Sequence, residues 1–331
     1  MMKKLEYKVT FTTPAFLGNA EQSGQWRTPP FKALLRQWWR VAVAESHNYK
    51  YEEIREKEGR LFGNAWLDSG ATRSQVRVRL NQWTEGASKW ESLPRIGNGK
   101  TQVPADLYLG YGPVKNSRGT PPTALKHNAA IQAGDSATLS LAIPGDCEEE
   151  IAMALGLIDR FGTLGGRSRN GWGSVRLEPQ SGISTPQDGI NAFSALLDDA
   201  LTKDWPHAIG CDKSGMLIWQ TKQVVDWKRA MTDLAKLRKA INAKFDKSKR
   251  PLLSYPVTGN RKWENNRRIP NSLRFKVVPA ADGHVKGLAF HLPCLPPKEF
   301  GPKKDTVKEV WRKVHAFLDR PSESGLERVQ S

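Results

Sequence analysis

The residues best suited to chemistry lie in Phe161–Ser174, FGTLGGRSRNGWGS, where Gly162, Gly165, Gly166, Gly171 and Gly173 surround Arg167 and Arg169. Glycine permits positive φ and lets backbone amides approach a ligand with no Cβ in the way, while arginine pairs with phosphate oxygens. The segment therefore suits a sugar-phosphate backbone, or it is a glycine-rich turn with solvated arginines. It is not a Walker loop, for no Gly-Lys-Ser/Thr follows, and it precedes a strand where a dinucleotide fingerprint precedes a helix. A second set is Trp26–Arg40, WRTPPFKALLRQWWR, in which Arg27, Lys32, Arg36 and Arg40 accompany Trp38 and Trp39. Cations interleaved with aromatics fit single-stranded nucleic acid, because bases stack on rings at about 1–3 kcal/mol each while cations hold phosphates. Trp38 falls in an apolar stripe and belongs to a core. Trp39 lies near the edge of that stripe and suits either the core or a base.

Charge points the same way. The chain carries 51 Lys and Arg against 34 Asp and Glu, a net charge of +17, and a polyanion is the usual partner of such a balance. Lys222–Lys276 alone holds sixteen Lys and Arg against four acids, as expected of an electrostatic groove. No apolar run reaches the roughly 18 residues that would span a bilayer, and the N-terminus lacks a secretory pattern, so a cytoplasmic location is expected. Cys147, Cys211 and Cys294 stand 64 and 83 positions apart, which provides neither a disulfide framework nor a metal-ligand pair, and no histidine completes one. No metal, cofactor or small-molecule substrate is expected. No GxSxG or HExxH motif is present. The residues that would serve a ribonuclease are His47 or His127 as acid or base, and Asp106 for metal-dependent cleavage.

These residues need elements to position them. Leu5, Tyr7, Val9 and Phe11 alternate as a strand, and Phe31, Leu34, Leu35, Trp38, Ala42 and Val43 recur at helical spacing after Thr28 and its prolines. Ser74–Leu80 and Ala137–Ile143 alternate as strands, the first with Arg77 and Arg79 on one side. Cys147–Phe161 reads as a helix and Trp172–Leu177 as a strand. The order strand, helix, strand, strand, helix, strand is the ferredoxin-like βαββαβ arrangement, so the expected class is α+β. Between the second and third strands, roughly 81–135 forms a long insertion that is expected to be irregular. Residues 180–189 read as a linker between an N-terminal domain, 1–180, and a basic C-terminal domain, 190–331. In the latter a helix at 192–201, a strand at 216–220, a helix at 225–245, strands at 273–278 and 285–291 and a helix at 305–318 suggest a second, incomplete copy.

FTTPAFLGNA, RTPPFKALLRQWWR, EGRLFGNA followed by SQVRVRL, and FGTLGGRSRNGWGS, in that order, resemble the RAMP superfamily of CRISPR effector subunits. The Arg36-Gln37-Trp38-Trp39-Arg40 stretch looks most like the first RAMP subunit of the Cmr, or type III-B, RNA-guided complexes. LLSYPVTG and RRIPNSLRFKVV resemble that subunit's second domain more weakly. The resemblance implies two ferredoxin-like domains, a loop at 162–173 that helps hold RNA, and a non-catalytic subunit. Its implied partners are guide RNA near its 3′ portion, target RNA and the other complex subunits. The expected RNA-binding set is Arg27, Lys32, Arg36, Trp39, Arg40, Gly165, Gly166, Arg167, Arg169, Gly171 and Gly173. Two rivals remain: a RAMP ribonuclease that processes guide or cuts target, and a structural cap that barely touches RNA. Ala33 stands where the family usually has glycine, which puts close backbone contact at 32–34 in doubt.

Overall fold

The computed structural model describes residues 1–65, 70–126, 129–181, 189–256, 267–301 and 303–330. They form two compact units: Met1–Trp90, Leu125–Ser168 and Trp172–Phe193 make the first, and Glu91–Ala124, Arg169–Gly171 and Ser194–Ser331 the second. Both are mixed α+β with antiparallel sheets.

In the first unit, β1 (Met2–Phe11) buries Leu5, Tyr7, Val9 and Phe11 and leaves Lys4, Glu6 and Lys8 exposed, as a two-residue period dictates. α1 (Thr28–Val43) follows Arg27, which is extended, and places Pro29 and Pro30 in a first turn where a missing N–H costs nothing. α2 (Tyr51–Phe62) was not anticipated, because EEIREKEG reads as polar; only Ile54, Glu58, Gly59, Leu61 and Phe62 are buried on it. β2 (Arg77–Leu80), β3 (Ser136–Pro144), α3 (Glu148–Phe161) and β4 (Val175–Ser181) complete the set. The sheet runs β2-β3-β1-β4, antiparallel throughout.

α1 packs against α3, and a small void between side chains is lined by Phe31, Leu34, Leu35, Leu139, Leu155 and Ile158, which locates the core between these helices and one sheet face. Each large apolar side chain buried there contributes about 1.5–3 kcal/mol. The opposite face is polar: Arg77 and Arg79 align with Ala142 and Ser140 of β3, which align with Lys4 and Glu6 of β1.

The second unit repeats the element order. β5 (Ile218–Thr221), α4 (Trp227–Ala243), β6 (Leu273–Pro279), β7 (Val285–His291), α5 (Lys304–Leu318) and β8 (Leu326–Arg328) form a sheet ordered β6-β7-β5-β8, again antiparallel. The Asp226 carboxylate caps α4 by accepting from the Arg229 amide at 2.9 Å. β8 escaped the sequence reading because three residues carry no legible period. The helix expected at 192–201 is reduced to Leu197–Ala200, and Ser194–Leu196 pairs in parallel with Ile209–Cys211 instead.

The insertion is more ordered than its Gly and Pro content suggests. Arg95–Ile96 pairs with Val103–Pro104, a helix follows at Ala105–Gly110, and residues 91–124 belong to the second unit. α4 holds it in place: Lys239 Nζ donates to the Thr101 carbonyl, and Asn242 Nδ2 donates to Tyr108 Oη at 2.9 Å. Residues 182–188 of the expected linker lie outside the described residues. Among the described residues no helix is long and apolar enough to cross a membrane.

Candidate nucleic-acid interface

α1 carries its cations on the side that the sheet does not cover, and two of them share one carboxylate. Arg36 Nε lies 2.6 Å from Glu58 Oε1 and Arg40 Nε 2.9 Å from Glu58 Oε2. Glu58 comes from α2 and is buried, so it desolvates together with its partners and holds both guanidinium groups beside it. Lys32 Nζ donates to Ser74 Oγ at 2.7 Å, and burial together with neighbouring Arg36 holds its ammonium below the usual lysine range. Arg27 donates to the Gly18 carbonyl. Arg27, Lys32, Arg36 and Arg40 thus form a half-exposed row in the first unit.

Trp39 does not belong to that row. It is fully buried, its ring meets Phe62 edge-on at 5.7 Å, and its indole N–H donates to Glu150 Oε2 at 3.0 Å. α2, absent from the sequence reading, supplies the cover. Trp38 stacks on Phe161 at 5.7 Å, in the core as expected.

The glycine loop also differs from a phosphate cradle. The Gly166 amide donates to the Phe16 carbonyl at 3.0 Å and the Gly173 amide to the Pro14 carbonyl at 2.8 Å, so neither N–H is left for a ligand. The glycines are demanded by packing. Gly165 has φ +89°, and a Cβ there would stand 2.6 Å from the Phe16 oxygen; Gly173 has φ +65°, and its Cβ would stand 1.9 Å from the Leu164 oxygen. A Cβ on Gly171 would meet Met231 Sδ at 2.9 Å. Trp172 pins the loop from inside, 5.3 Å from Phe16 and 5.5 Å from Trp90. What the loop presents outward in the first unit is Arg167, exposed at φ +57°. Arg169 and Gly171 belong to the second unit, where the Arg169 carbonyl accepts from the Phe275 amide at 2.9 Å.

Three further residues of the first unit are exposed and were not in the expected set. Arg77 and Arg79 project from β2, and among the described residues neither forms an ion pair. Trp83 is 54% exposed, and its carbonyl is tied by Gln25 Nε2 at 2.8 Å, two residues before Arg27. The only sequence signal for Trp83 is its place directly after a basic strand.

The dense charge of 222–276 is partly absorbed by the fold. Lys228 pairs with Glu91, Arg229 and Lys236 with Asp233, Lys244 with Glu323 and Lys249 with Glu309, while Arg238, Arg274 and Lys276 are buried. Three of these carboxylates come from outside that segment. Part of the charge expected to form an electrostatic groove or partner contact is thus engaged in ion pairs within the second unit.

Of the ribonuclease candidates, His47 lies in the first unit and Asp106 in the second. His47 Nδ1 lies 3.1 Å from both the Val43 carbonyl and Ser46 Oγ, at a helix end. Asp106 is fully buried and accepts from Thr123 Oγ1, so it cannot project onto a strand. His127 lies outside the described residues. Among the described residues no three of His, Cys, Asp and Glu are grouped as a metal site.

The family model of the RAMP superfamily matches residues 8–176. No curated protein sequence matches. Among solved structures, a chain of the type III-B Cmr-beta complex bound to cognate target RNA and AMPPnP, in the presence of ssDNA, is 11% identical over 94% of this chain and 99% of that one, with a TM-score of 0.52. The apo form of Cmr1 from Pyrococcus furiosus is 13% identical over 89% of this chain and 90% of that one, at 0.46.

Proposed function

The chain belongs to the RAMP superfamily, and on that premise we propose that it is a non-catalytic RNA-binding subunit of a type III-B (Cmr) CRISPR ribonucleoprotein. Guide RNA near its 3′ portion, target RNA and neighbouring subunits are its partners in this reading. The carrying observation is the row of Arg27, Lys32, Arg36 and Arg40, in which Ser74 holds Lys32 and a buried Glu58 holds Arg36 and Arg40. Such a row grips phosphates and carries no sequence code, as expected where base pairing with a guide supplies specificity. Arg167 adds an exposed cation, Arg77 and Arg79 form a second basic patch on the sheet face away from α1, and Trp83 takes the stacking role that buried Trp39 cannot fill. Both units are read as ferredoxin-like, since each runs βαββαβ with its second strand at one edge and its fourth at the other. In the interface the glycines serve the shape of the loop and Arg167 serves its charge.

The test mixes the full chain with labelled single-stranded RNA, titrates salt, and runs the samples on a denaturing gel with and without magnesium. Intact RNA and an affinity that falls steeply with salt are expected. Discrete cleavage products would favour the ribonuclease, and weak, salt-insensitive binding the structural cap.

A further inference from the structure

β6 is buried on both faces. Leu273, Phe275 and Val277 fill one, and on the other Arg274 is only 6% exposed and Lys276 1%. Cross-strand, Arg274 stands opposite Phe290 of β7, which offers no acceptor. Its Nε has no hydrogen-bond partner. Arg169 runs alongside: its carbonyl accepts from the Phe275 amide, next to Arg274 in sequence, and the two guanidinium charges repel each other. Among the described residues neither arginine forms an ion pair. The carboxylate of Asp204 acts on neighbouring Cys294, and not on either arginine. Burial and Arg169 together depress Arg274 to about 9, and burial pushes the Cys294 thiol up to about 11, so the thiol supplies no countercharge at neutral pH.

A buried guanidinium beside a second, half-exposed one, with no ion-pair partner among the described residues, is a costly arrangement, and a bound anion relieves it. The guanidinium is a planar fork that matches tetrahedral oxyanions, and a neutral thiol adds a weak donor. We propose that Arg169 and Arg274 of the second unit form a binding site for a phosphate-class oxyanion, supplied by an RNA phosphodiester or by free phosphate. Arg169 is half-exposed and forms the entrance; Arg274 forms the floor. The RNA form of the proposal rests on the RNA-binding reading above, whereas the free-phosphate form does not.

The experiment measures thermal unfolding of the full chain in sodium phosphate against sodium chloride at matched ionic strength, and single-stranded RNA affinity across a salt series. It compares the wild type with Arg274→Met, Arg169→Met and the remote control Arg320→Met. For a free-phosphate site, phosphate raises the wild-type Tm by about 2–4 °C and leaves both site variants unmoved. For a phosphodiester site, each site variant loses about tenfold or more in RNA affinity and its salt slope falls by about one. Arg274→Met should also match or exceed the wild type in anion-free stability, since an unpaired buried cation is removed; a merely structural arginine gives the reverse. If Arg274→Met fails to fold, half-exposed Arg169→Met carries both readouts. Site variants that match the wild type in both assays overturn the site. A wild type that binds no RNA overturns the subunit reading, while the phosphate arm still decides the site.

Discussion

At the scale of single residues, burial separates binding from stability within one short stretch. Trp39 and Trp83 are the same side chain with opposite prospects. Trp39→Ala should cost about 3–5 kcal/mol of stability, read from urea unfolding, because it empties a packed site and removes the indole donor to Glu150 Oε2. Trp83→Ala should leave stability within about 0.5 kcal/mol and weaken RNA binding by about 1–3 kcal/mol. An unchanged RNA affinity would remove Trp83 from the interface. Glu58→Gln makes a sharper case. It should lower stability by about 1–3 kcal/mol, discounted because the arginines are partly solvated, yet raise RNA affinity at low salt by releasing two guanidinium groups. A fall in affinity with stability intact would contradict the role given to α1.

At the scale of elements, the glycine loop and α2 determine what the basic row can reach. The loop is held by main-chain bonds to residues 14–17, so its glycines are structural requirements of the first unit. Gly173→Ala should destabilise the chain by at least about 2 kcal/mol, because positive φ and a collision with backbone add together. Gly134→Ala meets nothing within 4 Å but retains φ +91°, so it should cost only about 1 kcal/mol. Equal effects in chemical denaturation would show that the loop tolerates a Cβ. α2 acts through its side chains, since Phe62 closes over Trp39 while Glu58 orients the arginines, and one polar-looking helix thereby completes both core and interface.

At the scale of the whole molecule, charge and titration govern behaviour in solution. The net charge of +17 makes any RNA affinity depend on salt, and steeply so if the basic row is the interface. Three histidines of the second unit add a pH dependence. Burial holds His207 below its usual value; burial, His315 and Arg274 hold His291 well below; burial brings His315 to about 3. The unfolded chain takes up these protons near 6.5, whereas the folded chain takes them up only at lower pH. Stability from this source is therefore complete above about pH 7 and is lost as pH falls from 6.5 toward 3, at up to about 1.4 kcal/mol per pH unit for each histidine. Urea midpoints at pH 7.5 and 5.5 check it, with the lower midpoint expected at 5.5. His315 Nε2 lies 3.0 Å from His291 Nδ1, so a proton on either places charge in a buried pair, and a flat profile would contradict that pair.

By itself the sequence determined the alternation of β1, β2 and β3, the apolar stripe of α1, the helix at α3 and the family resemblance, because each rests on a local period or motif that survives without knowledge of its neighbours. The same holds for Lys32, Arg36 and Arg40 as one row, since residues four apart share a helix face. Tertiary structure alone decided the rest. Whether Trp39 faces a base or a core depended on α2, whose sequence is too polar to announce a packing face. Which lysines of 222–276 are paired depended on Glu91, Glu309 and Glu323, which are remote in the chain. Whether glycine amides are open to phosphate depended on residues 14–17 reaching them first. In each case the deciding partner is distant in sequence, and burial and pairing are properties of partners.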